Sequence, residues 1–177
     1  MNFFTADQHF GHENIVRYCG RPFKSAHRMD RTIIDRYNSV VGVEDTCYIL
    51  GDFTMSSNPD QVESLVRKLN GRKILVLGNH DRLRPFAYTE LGFESVHTSL
   101  DIVVSGERAI CIHDPAPACA TEIKLRWLVG HVHGLFKHLN NCAVTNVGVD
   151  VWDFTPVSEE QLASAWLPET TAQPITI

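Results

Sequence analysis

An α/β fold is predicted by three observations: short continuous apolar runs alternate with helical periodicities in the first half, hairpin-like strands dominate the second, and Asp- and His-bearing clusters follow the strand ends. Asn2 to Ala6 forms the first strand; Cys47-Tyr48-Ile49-Leu50 and Lys73-Ile74-Leu75-Val76-Leu77 form the next two, apolar throughout as in a sheet covered on both faces. Between the first pair, Met29, Ile33, Ile34, Tyr37 and Val41 recur at helical spacing from about Ala26 to Val41 behind a Ser25 cap. Between the second pair, Asn58 caps a helix with Pro59 in its first turn, Val62, Leu65, Val66 and Leu69 on one face, and Gly71 just past its end. This is βαβαβ wiring.

After about Leu91 the pattern changes. Ile102-Val103-Val104, a Ser105-Gly106-Glu107 turn and Ala109-Ile110-Cys111-Ile112 read as a hairpin, and further strands are expected over Leu125 to Val129 and Cys142 to Val147. Ser158 to Ala165 reads as a closing helix, with Ser158 and Gln161 in capping-box spacing. A single domain is expected over 1–167, with residues 168–177 a polar, proline-bearing tail lying loosely on the surface.

Composition narrows the function. The 177 residues are 44% hydrophobic and 21% charged, within the ordinary globular range. No apolar run approaches the roughly 18 residues that span a bilayer. The formal net charge of -5 argues against a large footprint on duplex nucleic acid. The amino terminus has no basic segment ahead of an apolar core, so no secretory signal is expected. Cys19, Cys47, Cys111, Cys119 and Cys142 are odd in number, widely spaced and free of any C-x-x-C pair; they read as reduced thiols in a cytoplasmic protein, and as apolar fillers rather than nucleophiles.

The chemistry lies in the polar clusters: Asp7-Gln8-His9, Gly51-Asp52, Gly78-Asn79-His80-Asp81, His113-Asp114 and Gly130-His131-Val132-His133. They follow apolar runs, at the carboxyl ends where open α/β sheets place ligands. Of the nine histidines, five fall in these clusters. Carboxylate and amide oxygens mixed with imidazoles suit Mn²⁺, Fe or Zn²⁺ better than Mg²⁺ or Ca²⁺, and the lack of thiolates disfavours a structural zinc cage. Asp7, His9, Asp52, Asn79, His113, His131 and His133 make seven candidate ligands, more than one ion needs, so a dinuclear centre with a bridging carboxylate is the economical reading. In a strand continued past Val129, period two would turn His131 and His133 to the same side. Singly, His113 also reads as a loop histidine.

The ordered set D-x-H, G-D, G-N-H-D, a lone His and G-H-x-H, spanning Asp7 to His133, resembles the calcineurin-like metallophosphoesterases. The stretches from Asp7 to Phe23 and from Asn146 to Trp152 resemble a compact microbial or phage branch of that family; the Gly usual before the first Asp is here Ala6. The resemblance implies a four-layer α/β/β/α sandwich with a mixed β-sandwich core. It implies one ion held by Asp7, His9, Asp52 and His133, and another by Asp52, Asn79, His113 and His131, with Asp52 bridging. The cofactors would be two divalent transition-metal ions, Mn²⁺ foremost, with Fe, Zn²⁺ or Ni²⁺ as alternatives. A hydroxide shared by the ions would attack phosphorus in line. Two dications against Asp7 and Asp52 leave roughly +2 at the site, which suits phosphate despite the acidic chain.

His80 is the implied contact for phosphate and proton donor to the leaving alkoxide, with Asp81 orienting its imidazole or simply capping the following turn. His12, Arg17 and Arg21 sit just past the first motif, where they either reach a phosphate or form a solvated face. With no length left for a large cap, the cleft should be open and suited to small phosphoesters. Nucleotide-like diesters, including 2′,3′-cyclic phosphates, lead, ahead of monoesters and exposed nucleic-acid ends. The rival class is a binding or assembly module on this scaffold with a weak metal site. No membrane partner is expected, and homo-oligomerisation is left open.

Overall fold

In the computed structural model, residues 1–120, 125–139 and 143–166 are described. The expected 168–177 tail and the start of the strand at Cys142 lie outside them.

The first half follows the βαβαβ pattern: β1 (Asn2–Thr5), α1 (Glu13–Tyr18), α2 (Ala26–Val40), β2 (Thr46–Ile49), α3 (Pro59–Val66), β3 (Arg72–Val76), α4 (Pro85–Glu90) and β4 (Ser95–His97). The second half carries β5 (Ser99–Val104), β6 (Glu107–Ile112), α5 (Ala116–Cys119), β7 (Arg126–Val129), β8 (His138–Leu139), β9 (Val144–Asn146), a 3-10 turn (Val149–Val151), β10 (Val157–Ser158) and α6 (Glu159–Trp166). Helices α1 and α4 and strand β4 escaped the sequence reading because they are three to six residues long, too short to show a period.

The predicted caps form. Ser25 accepts from the Arg28 amide and Asn58 from the Asp60 amide. Ser158 and Gln161 exchange two hydrogen bonds, at 2.9 and 3.2 Å, as a capping box. Met29, Ile33, Tyr37 and Val41 are buried as their spacing requires.

The described residues form two five-stranded sheets, ordered β10-β1-β2-β3-β4 and β5-β6-β7-β9-β8. In the first, β1 to β4 are parallel and β10 is antiparallel on the edge. In the second, β6, β7 and β9 are parallel and the outer strands antiparallel. Both sheets are therefore mixed. Alternation along each strand divides the core. Phe3, Cys47, Ile49 and Leu75 join residues of α1 to α4 in one apolar cluster. Phe4, Leu50 and Val76 meet Val104, Ala109, Cys111 and Leu128 of the other sheet in a second. A third, smaller cluster sets Trp127, Val129 and Val144 against Ala118 of α5. No described helix is long and apolar enough to cross a membrane.

Register places the site. Thr5 pairs with Ile49 and Ile49 with Leu75, so β1, β2 and β3 run out at one level. Cys111 pairs with Leu128 in the parallel β6 and β7. A bridge between Ala6 and Gly148 and the Val149 amide on the Ala6 carbonyl, at 3.0 Å, join the end of β1 to the loop after β9.

Candidate metal centre

Asp7 and His9 lie just beyond β1, Asp52 beyond β2, Asn79 and His80 beyond β3, His113 beyond β6, and His131 and His133 beyond β7. The loops are stitched together by backbone: the Asp7 amide donates to Gly51 and the His9 amide to Asp52, at 3.0 and 2.9 Å. Asp7, His9, Asp52, His131 and His133 all have positive φ, between 47° and 72°, which ordinary residues avoid. Such strain persists only where surrounding contacts over-determine it, and it gathers at functional sites.

Two groups of donor atoms result, each within 4.8 Å of one another: Asp7, His9 and His133, and Asp52, His113 and His131. Asp52 lies between them, with its Oδ2 3.4 Å from His9 Nε2 and 3.5 Å from His113 Nε2. Asn79 Oδ1 lies 3.0 Å from both His113 Nε2 and His131 Nδ1. All seven expected ligands are thus brought together. His131 and His133 reach this arrangement differently from the expectation: the chain leaves β7 after Val129 and both residues are left-handed, so one imidazole turns to His113 and the other to His9.

The buried groups respond strongly to their surroundings. Burial pushes the Asp7 carboxyl up to about 6, although His113, His133 and the His131 amide oppose it. Burial also raises Asp52, but His113, the His80 amide and His9 outweigh it and bring the carboxyl down to about 2. Burial lowers His9 to about 3, and its ring nitrogens have no hydrogen-bond partner among the described residues. For His113, burial is outweighed by Asp52, Asp7 and the Leu50 carbonyl, so that it rises to about 9. A fully buried imidazole with two lone positions, facing carboxylates and other imidazoles, fits a cation of the mixed O/N class. Asp150, His133 and Cys19 also fall within ligand distance of one another, a proximity that the sequence did not show. Asp150 there is already paired with a buried guanidinium, which disfavours a further cation.

The accessory residues separate. His80 is half-buried, its ring edge-on to His9 at 5.4 Å and its amide donating to Asp52 Oδ1 at 2.9 Å. His12 is half-buried, 5.7 Å from the His9 ring; burial, His80 and Arg21 lower its pKa. Arg17 is exposed in the last turn of α1.

Two expectations need correction. The Asp81 carboxylate accepts from the amides of Gly78, Asp52 and Phe53 at 2.8 to 3.0 Å, so it ties two loops together and makes no described hydrogen bond to the His80 ring. Arg21 is 4% exposed and its donors are spent inside the protein, so it does not reach for substrate. Asp150 and Asn146 were missed. Asp150 Oδ2 lies 2.9 Å from His133 Nδ1, and the Asn146 amide donates to the His133 and Phe136 carbonyls at 2.7 and 2.9 Å. Both lie in the stretch that carried the resemblance, but nothing local gave either a role.

The fold and site define a mixed α/β protein with two adjoining Asp/His groups able to hold metal. The chain belongs to the family of the uncharacterized protein MJ1445 of Methanocaldococcus jannaschii and the Gene 66 protein of Mycobacterium phage L5. It is 31% identical to the first over 166 residues, covering 88% of this chain and 85% of that protein. It is 30% identical to the second over 180 residues, covering 84% and 86%. No family model matches. The solved structure of the protein of unknown function AQ665 from Aquifex aeolicus is similar at a TM-score of 0.74 and 28% identity, over 93% of this chain and 98% of that one. A novel archaeal phosphodiesterase aligns at a TM-score of 0.47 and 14% identity, over 83% and 81%, an overlap that transfers neither fold nor activity.

Two predictions follow from the geometry. A Cβ on Gly78 would lie 2.3 Å from Asp52 Oδ1 and 2.4 Å from its amide nitrogen, whereas one on Gly134 would meet nothing within 4 Å among the described residues. Gly78→Ala should cost about 1–3 kcal/mol in denaturant unfolding and weaken metal binding, while Gly134→Ala should do neither. Equal behaviour of the two variants would contradict the packing. Secondly, His113 holds a proton below about 9 that a cation must displace. Metal affinity should therefore rise by up to ~tenfold per pH unit from 7 to 9 and then flatten, with proton release visible as a buffer-dependent calorimetric enthalpy.

Proposed function

We propose that the chain is a dinuclear metal-dependent phosphoesterase of the calcineurin-like class, built as a four-layer α/β/β/α sandwich and acting on phosphodiesters. The observation that carries the reading is the position of Asp52 Oδ2, 3.4 and 3.5 Å from an imidazole of each donor group. One carboxylate so placed could serve two neighbouring ions. Asp7, His9, Asp52 and His133 would hold one, and Asp52, Asn79, His113 and His131 the other. Bound divalent cations supply Lewis acidity and neutralise charge on the phosphoryl oxygens.

The chain's own residues supply the rest. His80 is fixed through its amide to Asp52, while its ring, half-buried beside His9, makes no described hydrogen bond. This supports His80 as the group that would give a proton to the leaving alkoxide. Asp81 keeps Asn79 and His80 level with Asp52 by holding the amides at both loop origins. His131 and Asn79 are exposed, which leaves this side open to small phosphoesters such as nucleotide-like diesters and 2′,3′-cyclic phosphates. Mn²⁺ is the first choice of metal, and a cytoplasmic location goes with the reading.

Protein purified without added metal, then assayed on phosphodiesters with and without Mn²⁺, tests the proposal. Turnover that disappears on chelation and returns with Mn²⁺ is expected; full activity after verified metal loss would refute it. His80→Ala should retain both ions yet lose roughly 10²- to 10⁴-fold in rate on diesters with alkoxide leaving groups, and much less with p-nitrophenolate. An equal loss on both substrates would remove the proton-donor role while leaving the phosphoesterase reading intact.

A further inference from the structure

Arg21 and Asp150 are 129 residues apart in sequence and form a buried pair, with side-chain exposures of 0% and 7%. Arg21 follows α1, and Asp150 sits in the 3-10 turn after β9. Arg21 Nε donates to Asp150 Oδ1 at 2.7 Å and Nη2 to Oδ2 at 2.8 Å, a two-pronged contact. The remaining N–H groups go to the Gln8 carbonyl at 3.0 Å, Met29 Sδ at 3.2 Å and the Asp7 carbonyl at 2.7 Å. All five guanidinium donors are occupied, three of them on partners other than Asp150.

We infer that Arg21 and Asp150 are positioning residues for one half of the metal centre: Arg21 pins the Asp7-Gln8 backbone and Asp150, and Asp150 fixes the tautomer and aim of His133. The inference rests on the dinuclear reading above. A carboxylate gripped at both oxygens by a buried guanidinium can only accept hydrogen bonds. Its Oδ2, 2.9 Å from His133 Nδ1, therefore requires the proton on Nδ1 and leaves the Nε2 lone pair for a cation.

The same pair holds the backbone. Asp7, His9 and His133 are all left-handed, and Arg21 takes the carbonyl of the first and of the residue between the first two. The second donor group is supported otherwise, since His113 Nδ1 faces the Leu50 carbonyl at 2.8 Å and neither Arg21 nor Asp150 hydrogen-bonds to its members. Loss of the pair should therefore weaken one ion and spare the other.

The test uses the full chain. In Zn²⁺-loaded wild type, long-range proton–nitrogen NMR should show His133 protonated at Nδ1 with the metal on Nε2; a proton on Nε2 or coordination through Nδ1 overturns the inference without any variant having to fold. Calorimetric Mn²⁺ titration of Asp150→Asn and Arg21→Lys should show one of two ions weakened about 10- to 100-fold and the other unchanged. Arg21→Lys keeps the charge but not the fork, so it should not rescue. Wild-type affinity for both ions, or equal weakening of both, overturns the inference. Wild type that binds no ion at all would instead refute the dinuclear reading itself.

Discussion

The site depends on how closely the loops leaving parallel strands approach one another. A Cβ on Gly51 would stand 2.5 Å from His113 Nδ1 and 2.6 Å from the Gly78 backbone; one on Gly130 would stand 2.7 Å from the Ala6 Cβ. Without side chains at these positions, loops from both sheets close over one small volume. Left-handed backbone at five candidate ligand positions then turns their side chains into it, at about 1–3 kcal/mol each. Hydrogen bonds from loop to loop offset that strain, so the geometry belongs to the assembled sheets and to no single loop.

The same closeness separates residues of identical chemistry. His9 and His113 are 1% and 4% exposed, yet one falls to about 3 and the other rises to about 9. Burial disfavours the charged imidazole in both. Asp52 stands near both rings and favours a proton on each; His113 has Asp7 and the Leu50 carbonyl in addition, whereas His9 faces His133, Arg21 and His80, which oppose one. Neighbours decide the sign, and the cluster offers a neutral imidazole and an ionised Asp52 side by side.

Much of this was legible in the sequence because it rests on local rules. Apolar runs located β1, β2 and β3, caps located α2, α3 and α6, and Asp and His residues after the strands located the candidate ligands. Parallel strands with matched ends must carry such clusters to one edge, so the donor set could be read before its geometry. The side to which His131 and His133 turn was not legible, because strand alternation stops at Val129 and the left-handed turns after it follow from packing against the other sheet. Asp150 was hidden for a related reason: its partners, Arg21 and His133, are distant in sequence and meet only when the loop after β9 bridges to β1.

Asp81 and Arg21 expose an ambiguity inherent in charged residues of a motif. A charge beside a ligand can face the reacting groups or hold the backbone that carries them, and sequence position is the same in either case. Hydrogen-bonding capacity separates the roles. Asp81 spends its oxygens on one amide of its own loop and two of the loop after β2, and Arg21 its donors on two carbonyls, a thioether and Asp150. His80 has its amide engaged but its ring free of any described hydrogen bond, so it alone of the three retains capacity for a group arriving from outside. Exposed Asn79 and His131 add the access that such a group needs, and the two engaged charges become the frame against which the candidate ligands are held.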